Sequence, residues 1–234
     1  MPQAQISLML FAAGFGRRMG ALTKDRPKPL LQVAGQSLLN HALNQTRGFS
    51  FKNRVVNVHY LAEQIIAHLA IDAGLKVSNE KGKILETGGG LRAALSLLGM
   101  GPVLTLNTDA IWQGGSPVGQ LLAAWDPNQM DALLLLGEMG RVVGHKGLSD
   151  FGLDAEGRIK REKSKTGFLY LGAQIVKTDT LHHIAEQCFS LNLIWDEVIR
   201  NGRGFGLVYD GNWCGVGCPE NIVLAEALIK SDNV

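Results

Sequence analysis

The sequence predicts an α/β fold of three layers, a mainly parallel sheet with helices on both faces, extended by a small appendage. Three observations carry this. From residue 6 to about residue 136, short apolar runs alternate with stretches of helical apolar spacing. That alternation is the pattern of right-handed βαβ crossovers, which leave the sheet mostly parallel and covered on both sides. The first run opens into Gly14 and Gly16, a tight backbone turn of the kind that follows a buried strand. Beyond residue 150 the pattern changes to strand, turn, strand, so hairpins are added to the sheet instead of further crossovers.

Taken in order, residues 6–13 read as the first buried strand. Gly14 and Gly16 carry no Cβ, so backbone there can turn sharply and approach a ligand closely. Arg17 and Arg18 follow at once, and Lys28 sits between Pro27 and Pro29, which fix the backbone around it. A strand that opens into glycines and then cations suits a phosphate: amide N–H groups face the anion and basic side chains neutralise it. The stretch is neither a P-loop nor Gly-x-Gly-x-x-Gly. An ordinary strand-to-helix turn also explains the glycine pair taken alone.

Ser37 caps a helix over residues 38–46, where Leu38, Leu39, Ala42 and Leu43 recur at helical spacing. Residues 54–58 form a second strand, 62–69 a second helix and 76–78 a short third strand. The glycine run Gly88-Gly89-Gly90 reads as a loop before a helix over 91–98. Three glycines in a row cost entropy, which makes sense where a flat ring or a phosphate lies against bare backbone; a plain loop with a helix start is the simpler reading. Residues 103–106 are a strand that ends in Asn107-Thr108-Asp109, residues 121–125 a helix, and 132–136 a central strand. Asp109 therefore stands at the carboxyl edge of the sheet, where open α/β folds bind ligands. It is either a helix cap or a hard oxygen ligand, and Mg²⁺ takes one or two carboxylates together with substrate phosphates.

In the second half, residues 151–159 read as strand, turn and strand about 154–157, and 168–176 as a further strand. Helices are expected over 178–185, 193–200 and 221–230, the last opened by Pro219, and a strand over 204–209. No linker rich in Pro, Gly or Ser divides the chain, so residues 1–234 are expected to form one domain.

Bulk composition excludes several classes. Charged residues are 19% and hydrophobic residues 46% of 234, ordinary for a globular domain. A net charge of +2 argues against nucleic-acid binding driven by bulk electrostatics. The densest basic stretch runs from Arg158 to Lys165, and a solvated strand face explains it as well as a binding patch does. Cys188, Cys214 and Cys218 form no disulfide framework, which suits a reducing cytoplasm, and no second pair completes a zinc site around the last two. The start of the chain lacks the pattern of a secretory signal, and no apolar run reaches the roughly 20 residues needed to span a bilayer. A cytoplasmic protein without membrane or nucleic-acid partners is expected; the oligomeric state is left open.

The whole string Ala12-Ala13-Gly14-x-Gly16-x-Arg18-Met19, then Leu22-Thr23, then Pro27-Lys28-Pro29-Leu30, resembles the signature of the sugar-1-phosphate nucleotidyltransferases, the NDP-sugar pyrophosphorylases. The resemblance covers nearly the whole chain, from about residue 6 to residue 229. It implies a Rossmann-like α/β/α nucleotidyltransferase fold with a small sugar-binding extension, the nucleotide half over about residues 1–140 and the sugar half over about 141–234. In such enzymes the glycine loop wraps the nucleoside triphosphate, here Ala12, Ala13, Gly14, Gly16 and Arg18, while the counterparts of Arg18 and Lys28 hold its phosphates. The string Glu86-Thr87-Gly88-Gly89-Gly90 looks like the branch acting on N-acetylmuramate 1-phosphate with UTP, and similar strings occur in relatives of mannose-1-phosphate guanylyltransferase. By that resemblance Glu86, Thr87, Gly88 and Asn107 also bind the nucleotide, and Asp109 carries Mg²⁺. Asp150, Glu162, Lys163 and Gly172 fall where the sugar phosphate is recognised, although Ser164 replaces the proline of the usual Glu-Lys-Pro.

One departure is plain. The usual Trp-x-Asp-x-Gly reads here Trp213-Cys214-Gly215-Val216-Gly217, so Gly215 stands where a second metal aspartate is expected. Asp210 and Glu220 are the nearest acidic residues on either side. The expected activity is Mg²⁺-dependent condensation of an NTP with a sugar 1-phosphate, releasing pyrophosphate, in sugar-nucleotide synthesis or cell-wall recycling. Arg18, Lys28 and Asp109 are the expected catalytic residues. Three other readings stay open: a nucleotide-binding protein with weak or no turnover because of Gly215, a nucleotidyltransferase for a non-sugar acceptor, and a nonenzymatic Rossmann-like binding module.

Overall fold

The computed structural model describes residues 6–70, 72 and 74–231. Strand β1 (Ser7–Phe11) runs into the glycine loop, then through 3-10 turns at Arg17–Thr23 and Lys28–Leu30 to the hairpin of β2 (Gln32–Val33) and β3 (Gln36–Ser37). Helix α1 (Leu38–Gln45) starts where Ser37 Oγ accepts a hydrogen bond from the Asn40 amide at 3.2 Å. There follow β4 (Arg54–Val58), α2 (Ala62–Leu69), β5 (Leu75–Asn79), α3 (Glu86–Ala93), α4 (Leu95–Leu98), β6 (Val103–Asn107), β7 (Ala110–Gln113), α5 (Pro117–Ala124), β8 (Ala132–Glu138) and β9 (Val142–Val143). The second half contributes β10 (Phe151–Leu153), β11 (Ile159–Arg161), β12 (Phe168–Val176), α6 (Asn192–Arg200), β13 (Gly204–Val208), β14 (Asn212–Gly215) and α7 (Glu220–Ser231).

A nine-stranded sheet runs β11-β10-β12-β6-β1-β4-β5, with β8 also paired to β12 and β13 to β8. Strands β5, β4, β1 and β6 are parallel, β12 is antiparallel to both β6 and β8, and β13 is parallel to β8. After β1 the chain builds outward through β4 and β5, then returns to place β6 on the other side of β1. Such a reversal opens a crevice at the carboxyl ends of the two strands. The fold is the mixed, mainly parallel α/β architecture expected.

The period-two alternation of β1 divides the core. Leu8 and Leu10 join Leu39, Ala42, Ile65 and Leu121 on one face, so α1, α2 and α5 cover it. Met9 joins Leu91, Leu98, Trp195 and Val198 on the other, under α3, α4 and α6. These side chains are essentially shielded from water, the Leu, Ile, Val and Met among them each contributing roughly 1.5–3 kcal/mol of burial. A third cluster, with Met19, Val33, Ile111, Cys214 and Leu228, packs α7 and the segment after the glycine loop against a small sheet ordered β7-β14-β9.

Three expectations need correction. The glycine run is not a loop ahead of a helix: α3 begins at Glu86 and contains all three glycines. The helix expected over 178–185 is only a 3-10 turn, Asp179–His183. The helix expected at 121–125 starts earlier, at Pro117, because Ser116 Oγ accepts from the Gly119 amide at 3.1 Å and caps it. The short strands β2, β3, β7, β9 and β14 were not anticipated, since two to four residues carry no readable periodicity. Among the described residues no helix is long and apolar enough to cross a membrane.

Candidate active site

The site lies where the sheet reverses. At the end of β1 the Ala12 amide donates to Asn57 Oδ1 at 2.9 Å, fixing the entry to the glycine loop from the neighbouring strand. The two glycines then do different things. Nothing lies within 4 Å of a Cβ built on Gly14, so its backbone faces open space. Gly16 has φ +65°, and a Cβ there would lie 2.9 Å from Lys28 Cβ and 3.0 Å from Thr23 Cγ2. Gly16 thus lets the Pro27-Lys28-Pro29 turn pack directly under the loop. Thr23 Oγ1 reinforces this by donating to the Gly16 carbonyl at 3.1 Å.

Lys28 Nζ reaches Asp109 Oδ2 at 2.6 Å, the lysine side chain being 11% and the aspartate 39% exposed. Asp109 is held from both sides. Thr108 Oγ1 donates to the Phe11 carbonyl at 2.7 Å, tying the end of β6 to the end of β1. The Val216 amide donates to the Asp109 carbonyl at 2.8 Å, tying it to the end of β14. Arg17 stacks on Phe15, its guanidinium carbon 4.9 Å from the ring centre. Arg18 lies over Gly217, where a Cβ would be 3.5 Å from either terminal nitrogen, and among the described residues it makes no ion pair.

Three clefts meet at Asp109. The first, about 210 Å³, opens between the carboxyl ends of β1 and β6 and is lined by Gly14, Asn57, Glu80, Glu86 and Thr87. The second, about 280 Å³, lies among Gly14, Gly16, Arg17, Arg18 and Lys28. The third, about 640 Å³, extends past Arg18 to residues 143–147, Tyr170, Gly172, Trp213 and the start of α7. One cleft walled by polar side chains and helix start, one by glycines and cations, and one large and open can take a nucleoside, its phosphates and an acceptor respectively.

The wall of the first cleft contains residues that sequence reasoning missed. Asn57 Nδ2 donates to Glu80 Oε1 at 2.6 Å, and Glu80 Oε2 accepts from the Leu85 amide at 2.9 Å. Glu80, only 4% exposed, thereby couples β4 to the start of α3. The signal was an Asn at the inner end of the otherwise apolar Val55-Val56-Asn57-Val58, since a buried polar side chain there needs a partner. The glycines of α3 serve this wall from behind. A Cβ on Gly88 would overlap the Phe189 ring, one on Gly89 the Gln187 carbonyl oxygen, and one on Gly90 would lie 2.6 Å from Glu80 Oε1. Their bare backbone meets protein, so Gly88 is buried behind the cleft while Glu86 and Thr87 line it. Glu86 is held at φ +59°, a conformation costly for a residue with a side chain and retained at the cleft rim.

The predicted acceptor residues divide. Gly172, at φ +85°, sits in the irregularity of β12 between Tyr170 and Gln174, and a Cβ there would be 2.7 Å from Asn107 Nδ2. Asn107 in turn lines both the first and the third cleft. Asp150, Glu162 and Lys163 do not line the large cleft. Asp150 takes Lys163 Nζ at 3.0 Å and the Tyr170 amide at 3.2 Å, and Glu162 accepts from Ser164 Oγ at 3.1 Å. The pairing of Phe151 with Arg161 brings these residues together, where they brace the β10–β11 hairpin against β12.

At the second expected carboxylate position, a Cβ on Gly215 would lie 2.5 Å from the Trp213 ring, so the indole occupies that space. Asp210 is bound by Gln120 Nε2 away from the cleft. Glu220 lines the large cleft; its carboxyl is held below the ordinary range by its own backbone N–H, then by the Cys218 thiol and the charge of Lys146. Among the described residues no three His, Cys, Asp or Glu side chains cluster as a metal site. Asp109 is a single hard oxygen donor beside a phosphate-sized cleft, which fits Mg²⁺ if substrate phosphates complete its shell.

Comparison with known proteins agrees with this geometry. Residues 8–153 match the MobA-like NTP transferase domain. The chain is 38% identical to N-acetylmuramate alpha-1-phosphate uridylyltransferase of Caulobacter vibrioides, over 97% of this chain and 98% of that protein. It is 31% identical to the protein of the same name from Neisseria meningitidis, over 94% and 96%. The fold matches that of the inositol-1-phosphate CTP transferase from T. maritima with a TM-score of 0.74, at 16% identity over 97% of this chain and 96% of that one. The family match over more than half of the chain and the full-length identity to uridylyltransferases make this a nucleotidyltransferase, and the chain belongs to the MobA-like NTP transferase family.

Proposed function

We propose that this enzyme transfers a uridylyl group from UTP to N-acetylmuramate 1-phosphate, releasing pyrophosphate, with Mg²⁺ as cofactor and in the cytoplasm. The observation that carries the reading is the meeting of three clefts at the Lys28–Asp109 pair. The identity to uridylyltransferases over nearly their full length supports the choice of base and sugar. The sheet continuous across both halves supports one working unit, with nucleotide handled by about residues 1–140 and acceptor by about 141–234.

The acceptor's phosphate oxygen is already an anion, so no general base has to create the nucleophile. That oxygen attacks the α-phosphorus; the bond from the α-phosphorus to the bridging oxygen breaks, and pyrophosphate leaves with the electron pair. The chain's task is to bring two anions into line and to offset charge as the α-phosphorus becomes five-coordinate. Lys28, fixed beneath the glycine loop, supplies positive charge at the α-phosphate. Arg18, free of a carboxylate partner among the described residues, holds the triphosphate and the departing pyrophosphate. Asp109 is the residue that would hold Mg²⁺, which when bound would neutralise charge on the phosphates. Asn57, Glu80 and Glu86 wall the uracil side, and Asn107 with Gly172 separates nucleotide from acceptor.

A pyrophosphate-release assay crossing UTP, GTP, CTP, ATP and dTTP with N-acetylmuramate, mannose and glucose 1-phosphates, with and without Mg²⁺, tests this. The highest kcat/KM is expected for UTP with N-acetylmuramate 1-phosphate, only when Mg²⁺ is present. A higher value for another pair, or pyrophosphate release indifferent to Mg²⁺, would overturn the assignment.

A further inference from the structure

The large cleft holds a cation that the reaction as described does not use. Residues 143–147 form part of its wall, and Lys146 among them makes no ion pair within 4.0 Å among the described residues. The segment is pinned. Val143 pairs with Cys214 in the small sheet, and Gly144, at φ +77°, packs where a Cβ would lie 2.9 Å from Asn221 Oδ1. Asn221 Nδ2 in turn donates to the Gly215 carbonyl at 2.6 Å, so the loop is anchored to the cleft floor. His145 folds back on its own loop, its Nε2 lying 3.3 Å from the Leu148 carbonyl. That leaves Lys146 as the cation presented by this wall.

On the proposed mechanism the phosphate charge is met at the Asp109 end, by Lys28 and by Arg18, the latter also lining this cleft where the acceptor phosphate would lie. Of the carboxylates lining the cleft, Asp109 is engaged by Lys28 and Glu220 chiefly by its own N–H and the Cys218 thiol, the charge of Lys146 reaching it only as a lesser, longer-range influence without an ion pair. Lys146 is therefore surplus to a simple sugar phosphate. The volume is surplus as well: about 640 Å³, against about 210 Å³ for the nucleoside cleft, leaves room for a substituent on the sugar ring. Resting on the reading of this cleft as the acceptor site, we propose that Lys146 recognises a carboxylate carried by the acceptor sugar and so selects acidic sugar phosphates over neutral ones.

The test compares N-acetylmuramate 1-phosphate with N-acetylglucosamine 1-phosphate, which differ by the carboxylate-bearing lactyl ether, in wild type, Lys146→Met and Lys146→Glu. Wild type is expected to favour the acidic acceptor. In Lys146→Met its kcat/KM falls by about tenfold to a hundredfold, the range for a hydrogen bond to a charged group, so the ratio between the two acceptors collapses. Lys146→Glu pushes the ratio towards the neutral acceptor. Equal losses on both acceptors, an unchanged ratio, or an effect confined to the KM for UTP would each sink the proposal. A wild type that accepts both sugars equally also sinks it while leaving nucleotidyl transfer to sugar phosphates intact. A wild type inert with both fells the proposed function as well, so the two failures read differently.

Discussion

Replacing Lys28 by methionine should separate stability from turnover by a wide margin. At 2.6 Å, the attraction between Lys28 and Asp109 is about 6 kcal/mol at an effective dielectric near 20 and about 1.6 kcal/mol in water. Asp109 is 39% exposed, so solvent screening draws the value towards the lower figure, and desolvation of the nearly buried ammonium consumes part of the rest. Methionine keeps most of the apolar stem that packs under Gly16, so the net cost to folding should be roughly 1 kcal/mol. For a chain of this length that lowers Tm by about 2–4 °C. Turnover should respond differently if, as proposed, the ammonium offsets charge that builds during transfer. Removing one preorganised electrostatic contact costs roughly 2.7–4 kcal/mol in the transition state, a fall of about 10²–10³ in kcat. Thermal denaturation followed by circular dichroism gives the first quantity, and continuous pyrophosphate release gives the second. A kcat within threefold of wild type would refute the role of Lys28, and a Tm loss above about 10 °C would show that the pair is chiefly structural.

Three further outcomes follow from the same geometry. Gly88→Ala should destabilise by roughly 1–3 kcal/mol although alanine favours helices, because its Cβ overlaps Phe189; a raised denaturation midpoint would contradict this. Gly215→Asp should lower Tm without raising kcat, since its Cβ meets the Trp213 ring at 2.5 Å; increased Mg²⁺-dependent turnover would show instead that the position still accepts a second carboxylate. Burial pushes the Asp131 carboxyl up, but Arg203 and Lys177 outweigh it and hold it below its ordinary 3.8. A depressed carboxyl contributes stability above its unfolded value, lost as pH falls through the folded one, so Asp131→Asn should lower stability at neutral pH and flatten its decline below about pH 4. Urea denaturation at pH 3 and pH 7 checks this; equal mutational costs at both would refute it.

Long-range order in the first half was legible because it is repetitive. Residues 54–58 and 62–69 match their strand and helix to the residue, and Arg18, Lys28 and Asp109 line one cleft. What stayed hidden depends on partners distant in the chain. The glycines at 88–90 look like a ligand-facing loop until Phe189 and Gln187 are seen behind them, about a hundred residues later. Asp150, Glu162 and Lys163 lie in a charged hairpin whose register turns them towards one another, and register is invisible before strands are paired. Asn57 and Glu80 are single polar residues with no spacing to betray that they meet.

The contact of Gly172 with Asn107 sets a limit on how this scaffold can diversify. Any side chain at the β12 kink would displace Asn107, which lines both clefts, so on the proposed assignment of those clefts half-saturation for donor and acceptor would drift together. Selection for a new sugar through that position would be taxed by loss of nucleotide. The short span from 143 to 147 lines the large cleft but not the first, so on the same assignment it is where acceptor preference would change without penalty to the donor.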